Sequence, residues 1–466
     1  MKRDVWLIVL IFVATGLRML WIWDPNQFVF DEAYYAREGC YYFEASPEEC
    51  QMDRVPPEVH PPLGKWLIGA GVKLIGLQPF GWRIFPALAG GLTVGILFLI
   101  GTEIFRSTRA AVTAATVLAL DPLHFVQARV AMLDIFIPFF GLLALWCALK
   151  DRGPEPDPPH GWWRPWRLGA GIAGGAALAT KWPGLFILAF VVLFTLIQDL
   201  RRREGPRLRA LPSLALYFVA VPIAVYLASY IGRVDGTVFA LPWLDGSWFR
   251  AFWDQQVYML TTLANLTQAH SYQSPAWSWP LIQRPVAYFF CVGSRCKPGV
   301  DSGVYQQIMA VGNPFVWWPG LLLVLAAVVA VIRTRGKDLA ALIAGIGFLF
   351  TFVPWLPSYS PRATTYFFYF LPSVPFIALA IGRAVDRVSR PRLRLVATAA
   401  TLAVVAGSFA FYFPMLTKRS LTDDAWRTRI AVFDNCDRPD PVVRRPKHGD
   451  EETVRKHHPQ DGWCWI

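Results

Sequence analysis

The chain has 466 residues, of which 55% are hydrophobic and only 17% are charged, whereas soluble proteins carry about 25% charged residues. This composition, a mean hydropathy of +0.36 and apolar blocks of about 20 residues exclude an ordinary soluble protein and indicate a helical membrane protein. The net charge of +12 would suggest nucleic-acid binding in a soluble protein. Here arginine-rich connections between spans account for it, so no nucleic-acid partner is expected.

The apolar segments predict an all-α polytopic membrane protein with eleven spans. The first segment ends in Trp21 and Trp23, an interfacial anchor, so it is interpreted as a retained span and not as a signal peptide. The predicted spans cover residues 5–23, 83–105, 110–125, 131–149, 168–181, 184–199, 211–231, 315–332, 339–355, 366–382 and 395–413.

Basic residues set the predicted orientation. They concentrate at the N-terminus and in five connections that fall on one side of the membrane, namely 106–109, 150–167, 201–209, 333–337 and 382–394. By the positive-inside rule this side faces the cytoplasm and the C-terminus lies at the outer face. The predicted location is the plasma membrane.

Four parts are predicted along the chain. Long segments at 24–82 and 232–314 and a shorter one at 356–368 lie on the outer side. The parts are an N-terminal transmembrane module (1–231), an aromatic-rich outer loop (232–314), a C-terminal four-helix module (315–414) and a polar outer tail (415–466). Within the outer loop, residues 249–290 are too aromatic for a solvated loop and are predicted to lie on the membrane as short helices.

Six of the seven cysteines fall in outer segments, as three pairs that are close in sequence. On an oxidising face this pattern predicts the disulfides Cys40–Cys50, Cys291–Cys296 and Cys436–Cys464. No pair has the spacing of a zinc site, so no metal site is predicted.

Ionisable residues gather at the outer ends of the predicted spans. A transporter would place them near the bilayer midplane, facing a pathway. The layout instead favours an enzyme at the outer interface, acting on a substrate that is partly in lipid and partly in water. The residues are Asp31, Glu32, His60, Lys65, Arg83, Asp121, His124, Arg129, Asp134, Lys181, His270, Arg284 and Arg362.

Two kinds of charge carry the predicted chemistry. The adjacent Asp31 and Glu32 can act as a base or as ligands for a polar substrate; a helix cap with a solvated acid is the alternative. Lys181 and Arg362 stand among apolar segments and imply an anionic lipid headgroup, a phosphate in particular. Anchoring to ordinary phospholipid is the alternative for these two cations.

Other residues have two interpretations each. Lys65 lies in an amphipathic stretch of about 13 residues that is too short to span, and it either meets a lipid phosphate or snorkels to the interface. Arg129 and Asp134 either pair with each other or serve the site. The aromatic residues of 249–290 suit sugar rings or interfacial anchoring.

The ordered motifs FDEAYYA, HPPLGKWLI, GWR, LDPLHFVQARVAMLDIF, ATKWPGLF and HSYQSPAWSWPLIQRPVAYF closely resemble those of the bacterial, chiefly actinobacterial, protein O-mannosyltransferases. The resemblance covers about residues 25–415 and implies the GT-C glycosyltransferase fold. It departs from the family at HSY, where HPY is expected, and at KWPG, where KWSG is more usual. These departures leave the choice of acceptor open.

The resemblance implies roles for the matched residues. Asp31 would be the general base and Glu32 would support the catalytic site. Lys181, Arg362 and Arg129 would bind the donor phosphate. The other residues of the matched motifs are His60, Lys65, Arg83, Asp134, His270, Trp277, Trp279 and Arg284.

The reaction implied by the resemblance is transfer of mannose from polyprenyl-phosphate-mannose to Ser/Thr hydroxyls of secreted or membrane proteins, with inversion. No cofactor is required for it, although a divalent cation on the Asp31–Glu32 pair stays an open alternative. A sister enzyme could move arabinose or aminoarabinose onto a lipid or glycan. A transporter or flippase is the remote alternative, and association with the secretion machinery is a further hypothesis.

Overall fold

The protein is largely helical in its computed structural model. The model describes residues 3–44, 46–53, 58–151, 163–201, 210–232, 246–265, 270, 272–296, 299, 301, 303–358 and 365–430.

Helices account for most of the described chain. In the first half they are α1 (Arg3–Met19), α2 (Glu32–Glu44), α3 (Leu63–Ile75), α4 (Pro79–Ile104), α5 (Thr108–Ala119), α6 (Pro122–Gln127), α7 (Phe136–Lys150), α8 (Pro165–Thr180), α9 (Gly184–Arg201), α10 (Ala210–Ala215) and α11 (Val221–Ser229). In the second half they are α12 (Gly246–Ala264), α13 (Pro314–Thr334), α14 (Leu339–Ala341), α15 (Gly347–Phe352), α16 (Val374–Arg387), α17 (Pro391–Leu416) and α18 (Asp423–Ile430).

The multi-pass helical fold is confirmed. Within the described residues, eight helical segments are long and apolar enough to cross a bilayer: Pro79–Ile104, Leu133–Lys150, Gly184–Arg201, Leu211–Ser229, Pro314–Thr334, Leu339–Pro357, Phe367–Arg387 and Pro391–Leu416. The other three predicted spans correspond to the shorter helices α1, α5 and α8. The count of eleven therefore stays a prediction.

The spans differ in how deeply they lie within the protein. Pro79–Ile104 and Phe367–Arg387 are 72% and 83% buried, whereas Leu211–Ser229 and Pro391–Leu416 are only 17% and 22% buried. The first two form the centre of the bundle, and the latter two present most of their surface to lipid.

Small residues allow α1 to pack closely on α4. A Cβ atom on Gly91 or Gly95 of α4 would collide with Thr15 or Ile11 of α1. Without a strong hydrophobic force between helices in lipid, such close backbone approach is a principal source of helix association. This contact holds the C-terminal half of α1 against α4. The chain continues from that end of α1 into segment 24–82.

The segments predicted to be outer contain both helices and a small sheet. The helix predicted after His60 is α3, and α12 confirms a helix within 249–290, whose place on the membrane stays a prediction. The prediction of helices is wrong for residues 286–290, because β1 (Val286–Val292) pairs antiparallel with β2 (Val304–Ala310), which pairs with β3 (Leu421–Thr422). The run VAYFFCV is rich in the aromatic and β-branched residues that favour strands. The chain is mostly helical, as predicted, and carries one small sheet among its described residues.

Two disulfides are formed in the described residues. Cys40 is bonded to Cys50 at the end of α2, and Cys291 is bonded to Cys296 at the end of β1. Cys436 and Cys464 lie outside the described residues. Each formed bond closes a short outer loop next to an element that reaches the candidate site.

Candidate functional site

Asp31 lies immediately before α2, at the centre of the candidate site. Its carbonyl oxygen accepts the backbone N–H groups of Tyr34 and Tyr35, and its Oδ2 accepts the Tyr35 hydroxyl at 3.3 Å. The side chain is half-buried and forms no ion pair within the described part of the chain. Burial raises the pKa of Asp31 to about 6, an effect that nearby Lys181 opposes and Asp134 reinforces.

Lys181 faces the same site from the junction of α8 and α9. Its Nζ lies 3.0 Å from both carboxylate oxygens of Asp134, and both side chains are buried. The ammonium also lies 4.6 Å from the ring centroid of Tyr369. Asp134 therefore pairs with Lys181, and the alternative prediction that it pairs with Arg129 is wrong.

Glu32 is fully buried behind Asp31. Arg83 binds it with two nitrogens, each 2.7 Å from a carboxylate oxygen. The backbone N–H groups of Val29 and Ala131 donate to the same carboxylate at 3.0 and 2.9 Å. Four hydrogen bonds thus fix Glu32 as an anchor for the turn that carries Asp31.

Two arginines hold the chain that leads into this turn. Arg83 donates to three carbonyl oxygens within residues 22–27, at 2.8–3.1 Å. Arg129 donates to four carbonyl oxygens within residues 17–21, at 2.6–3.5 Å. Arg129 therefore satisfies the free carbonyls at the end of α1, which argues against its predicted role as a direct phosphate ligand.

Lys65 is buried between two helices and does not reach a membrane surface. Its Nζ lies 2.6 Å from Glu38 and 2.8 Å from Glu58, and the Tyr42 hydroxyl donates to Glu58 at 2.6 Å. Both predicted interpretations of Lys65, lipid phosphate and snorkelling, are therefore wrong. These ion pairs join α2 to α3 and to the segment that carries His60.

Aromatic residues enclose the other side of Asp31. Phe30 has a φ of 49°, a left-handed conformation that is uncommon for a bulky residue. Its ring lies 4.8 Å from that of Tyr288, and 5.8–6.4 Å from those of Phe368, His270 and Tyr366. These ring contacts hold the unusual backbone that aims Asp31 into the site.

Two of the predicted histidines, His60 and His270, lie beside aromatic rings that adjoin Asp31, those of Tyr35 and Phe30. The half-buried His60 ring is 6.2 Å from that of Tyr35, and burial lowers the pKa of His60 well below its usual value, so the ring is neutral. The exposed His270 ring lies 5.2 Å from that of Tyr366.

The predicted residues of the aromatic outer loop have separate positions. Trp279 is buried against Trp355 and Tyr369 and so supports the ring beside Lys181. Trp277 is exposed, and Arg284 donates to the carbonyl of Gln273 at 3.2 Å. Arg362 lies outside the described residues.

The structure thus separates the predicted residues into two groups. Asp31, His60, Asp134, Lys181 and His270 line one site. Glu32, Lys65, Arg83, Arg129 and Trp279 support it from behind. Sequence reasoning missed Phe30, Tyr35, Glu38, Glu58, Tyr288 and Tyr369. The signal available for two of them was helical spacing, since Tyr35 and Glu38 follow Asp31 by four and seven residues on one face of α2.

No group of three or more His, Cys, Asp or Glu side chains that could hold a metal occurs in the described ranges. The Glu32 carboxylate already accepts four hydrogen bonds from protein groups.

Two family models match consecutive parts of the chain. Residues 77–233 match dolichyl-phosphate-mannose-protein mannosyltransferase, and residues 248–432 match the C-terminal four-helix membrane region of protein O-mannosyltransferase. The chain belongs to the protein O-mannosyltransferase family.

Relatives of this family align over most of the chain. A polyprenol-phosphate-mannose–protein mannosyltransferase from Mycolicibacterium smegmatis is 29% identical, with 87% of each chain covered. A protein of the same name from Mycobacterium tuberculosis is 28% identical, with 87% of this chain and 86% of the relative covered.

Among solved structures, the Saccharomyces cerevisiae protein O-mannosyltransferase Pmt1-Pmt2 complex bound to the sugar donor aligns with a TM-score of 0.76. The identity is 14% and 91% of each chain is covered. At this identity the similarity shows the fold, which is the GT-C glycosyltransferase fold expected from the sequence.

Proposed function

We propose that this protein transfers mannose from polyprenyl-phosphate-mannose to serine or threonine hydroxyls of secreted or membrane proteins. One observation carries the proposal: Asp31, a half-buried carboxylate with no ion pair to any described residue, shares a site with a buried ammonium, Lys181. A base and a cation so placed suit attack by a hydroxyl on a sugar whose leaving group is a phosphate. The named activity of the mycobacterial relatives supports the same reaction.

In the proposed step, Asp31 accepts the proton of the acceptor hydroxyl as its oxygen forms a bond to the anomeric carbon. The bond from that carbon to the phosphate oxygen breaks, and the electron pair leaves with polyprenyl phosphate. A single displacement of this kind inverts the anomeric centre. No redox partner or cofactor is needed to balance it.

Lys181 can bind the leaving phosphate without giving up its partner. An ammonium group has three N–H donors, and the two oxygens of Asp134 use at most two of them. The third is available to a phosphate oxygen. We propose Arg362 as a second cation for the same phosphate, from the segment after the Leu339–Pro357 span.

Orientation and organisation complete the proposal. The site lies on the side opposite the basic connections, which we assign to the outer face of the plasma membrane. We propose that the chain is organised in the four parts that its sequence predicts. Acceptors at the outer face are unfolded secreted or membrane chains, and association with the secretion machinery would deliver them.

A transfer assay tests this function. The purified protein in liposomes would receive polyprenyl-phosphate-[3H]mannose and a Ser/Thr/Pro-rich peptide. Label on the peptide, released by β-elimination, is the expected result. Label on lipid or glycan would keep the donor and overturn the protein acceptor, and label transferred only from another polyprenyl-phosphate sugar would overturn mannose.

The rate should depend on pH through Asp31. Because burial raises the pKa of Asp31 from 3.8 to about 6, the base form is lost as the pH falls through 6. We expect kcat/KM to decline about tenfold per pH unit below this value.

A matched variant makes the pH test specific. The Tyr35 hydroxyl donates to the charged form of Asp31 and lowers its pKa, so Tyr35→Phe should move the acid limb to higher pH. The measurement is kcat/KM between pH 4.5 and 8. An acid limb that is the same in both proteins would contradict the assignment of the limb to Asp31.

Phe30→Ala should lower kcat by roughly 10- to 100-fold, because removing the ring frees the backbone that orients Asp31. Phe30→Leu keeps an apolar side chain and should lose less. KM for the donor should change little in both, since Lys181 is untouched. Phe315→Ala, on an exposed phenylalanine of α13, is the control. Equal kcat in Phe30→Ala and wild type would show that the aromatic contacts do not position the base.

A further inference from the structure

Helix α12 lies outside the predicted spans and packs on the end of one of them. Trp248 and Phe252 stack with ring centroids 5.3 Å apart, and Phe252 meets the ring of Tyr230 at 5.0 Å. The Tyr226 hydroxyl donates to Gln256 at 2.7 Å. One side of α12 is therefore fixed on the last turn of α11.

A second side of α12 is apolar and exposed. Its residues are Phe249, Trp253, Val257 and Leu260, which are 44–66% exposed. Their spacing of four, four and three residues places them along one side of a helix. Four large apolar side chains in a row form a stripe that water would solvate poorly.

A third side, one residue further round the helix, is polar. It consists of Arg250, Asp254, Tyr258 and Thr261, all of which are exposed. One arginine and one aspartate leave this side without net charge. Attraction to anionic lipid is therefore not what would hold the helix at a surface.

The level of α12 follows from its support. The Leu211–Ser229 span is only 17% buried and exposes Leu216, Val219 and Ile223 to its surroundings. Helix α12 contacts the end of this span, at Tyr226 and Tyr230. Aromatic residues with polar tips, typical of a membrane interface, occur at the same place: Trp182 Nε1 donates to the Tyr226 hydroxyl at 3.0 Å.

We infer that α12 is an interfacial helix whose stripe Phe249–Trp253–Val257–Leu260 is immersed in the boundary between headgroups and acyl chains of the outer leaflet. The polar side then faces water. Such helices bind by apolar burial when they carry no net charge. The occupant of the stripe is lipid of any headgroup.

Seated in this way, α12 links the bilayer surface to the candidate site. Gln255 Nε2 donates to the carbonyl of Glu58 at 2.6 Å, two residues before His60. Tyr226 connects the helix to Trp182, the neighbour of Lys181. This consequence rests on the proposed function, whereas the position of the helix does not.

Site-directed spin labelling tests the position. A spin-labelled amino acid introduced by codon suppression at 253 or 257 would report on the apolar stripe, and one at 250 or 254 on the polar side, in the full-length protein in lipid nanodiscs. Collisions with oxygen should dominate at 253 and 257, and collisions with a water-soluble nickel chelate at 250 and 254. The pattern should be the same in neutral and in anionic lipid.

Two results would overturn the inference. Equal nickel accessibility at 253 and 254 would place the stripe in water, as for a surface that binds the acceptor chain. Protection of 253 and 257 from both reagents would mean that another protein surface, such as a second copy, covers the stripe. Neither readout requires turnover, so failure of the transfer assay and failure of this inference are separate outcomes.

Discussion

Asp31→Asn is expected to reduce mannosyl transfer by roughly 10²- to 10⁴-fold, the range associated with loss of a general base. The amide matches the carboxylate in size but cannot accept the hydroxyl proton. Donor binding should persist, because the cation that faces the phosphate is unchanged. The measurements are the initial rate with labelled donor and the affinity for a non-transferable donor analogue, determined by titration calorimetry.

Asp424→Asn is a suitable control for this experiment. Asp424 is exposed on α18, so the same chemical change there should leave the rate unaltered. Transfer by Asp31→Asn at more than a tenth of the wild-type rate would rule out Asp31 as the base. Glu32 could not take its place without breaking four hydrogen bonds.

Lys181→Met should abolish transfer and also destabilise the fold. The change leaves Asp134 buried without its ion pair, which costs about 3–5 kcal/mol. Loss of activity in this variant alone would therefore not separate binding from folding. Thermal unfolding in detergent and transfer in liposomes should both fall.

The double variant Lys181→Met/Asp134→Leu separates the two effects. Replacing a buried ion pair by apolar residues is often neutral or stabilising, so the unfolding temperature should return towards the wild-type value. Transfer should remain absent, because the ammonium of Lys181 no longer faces the leaving phosphate and the proposed Arg362 is left as a single cation. Lys181 and Asp134 shift the pKa of Asp31 in opposite directions. Removal of both should therefore change the pKa of Asp31 little. Recovery of transfer in the double variant would make Lys181 a purely structural residue.

The sequence predicted the residues of the site better than their partners. Asp31 and Lys181 could be predicted because a charged residue among apolar residues is recognisable from the amino-acid sequence alone. The partner of Lys181 is Asp134, 47 residues away, and the partners of Lys65 include Glu38, 27 residues away. Such pairings depend on how helices pack, which the sequence does not show. Lys65 and Arg129 were therefore predicted to bind lipid or phosphate, whereas they bind protein groups.

In the aromatic-rich loop the same residue types are compatible with two structures, an interfacial helix and a strand. The density of aromatic residues in 249–290 predicted interfacial helices, and α12 fits that pattern. In 286–292 the aromatic residues belong to a strand, because aromatic residues and valine also favour strands and a partner strand is present at 304–310. Between the two strands lies a turn closed by the Cys291–Cys296 disulfide. A prediction of helices in this loop does not include such a turn.

The third strand of the sheet has a consequence for biosynthesis. Leu421 and Thr422 follow the last span, yet they pair with Tyr305 and Val304, and the sheet they complete carries Tyr288, which packs on Phe30 beside the base. The free edge of β2 therefore stays unpaired in a nascent chain until synthesis has passed Thr422, after the last span. Until then the sheet beside the candidate base consists of β1 and β2 alone.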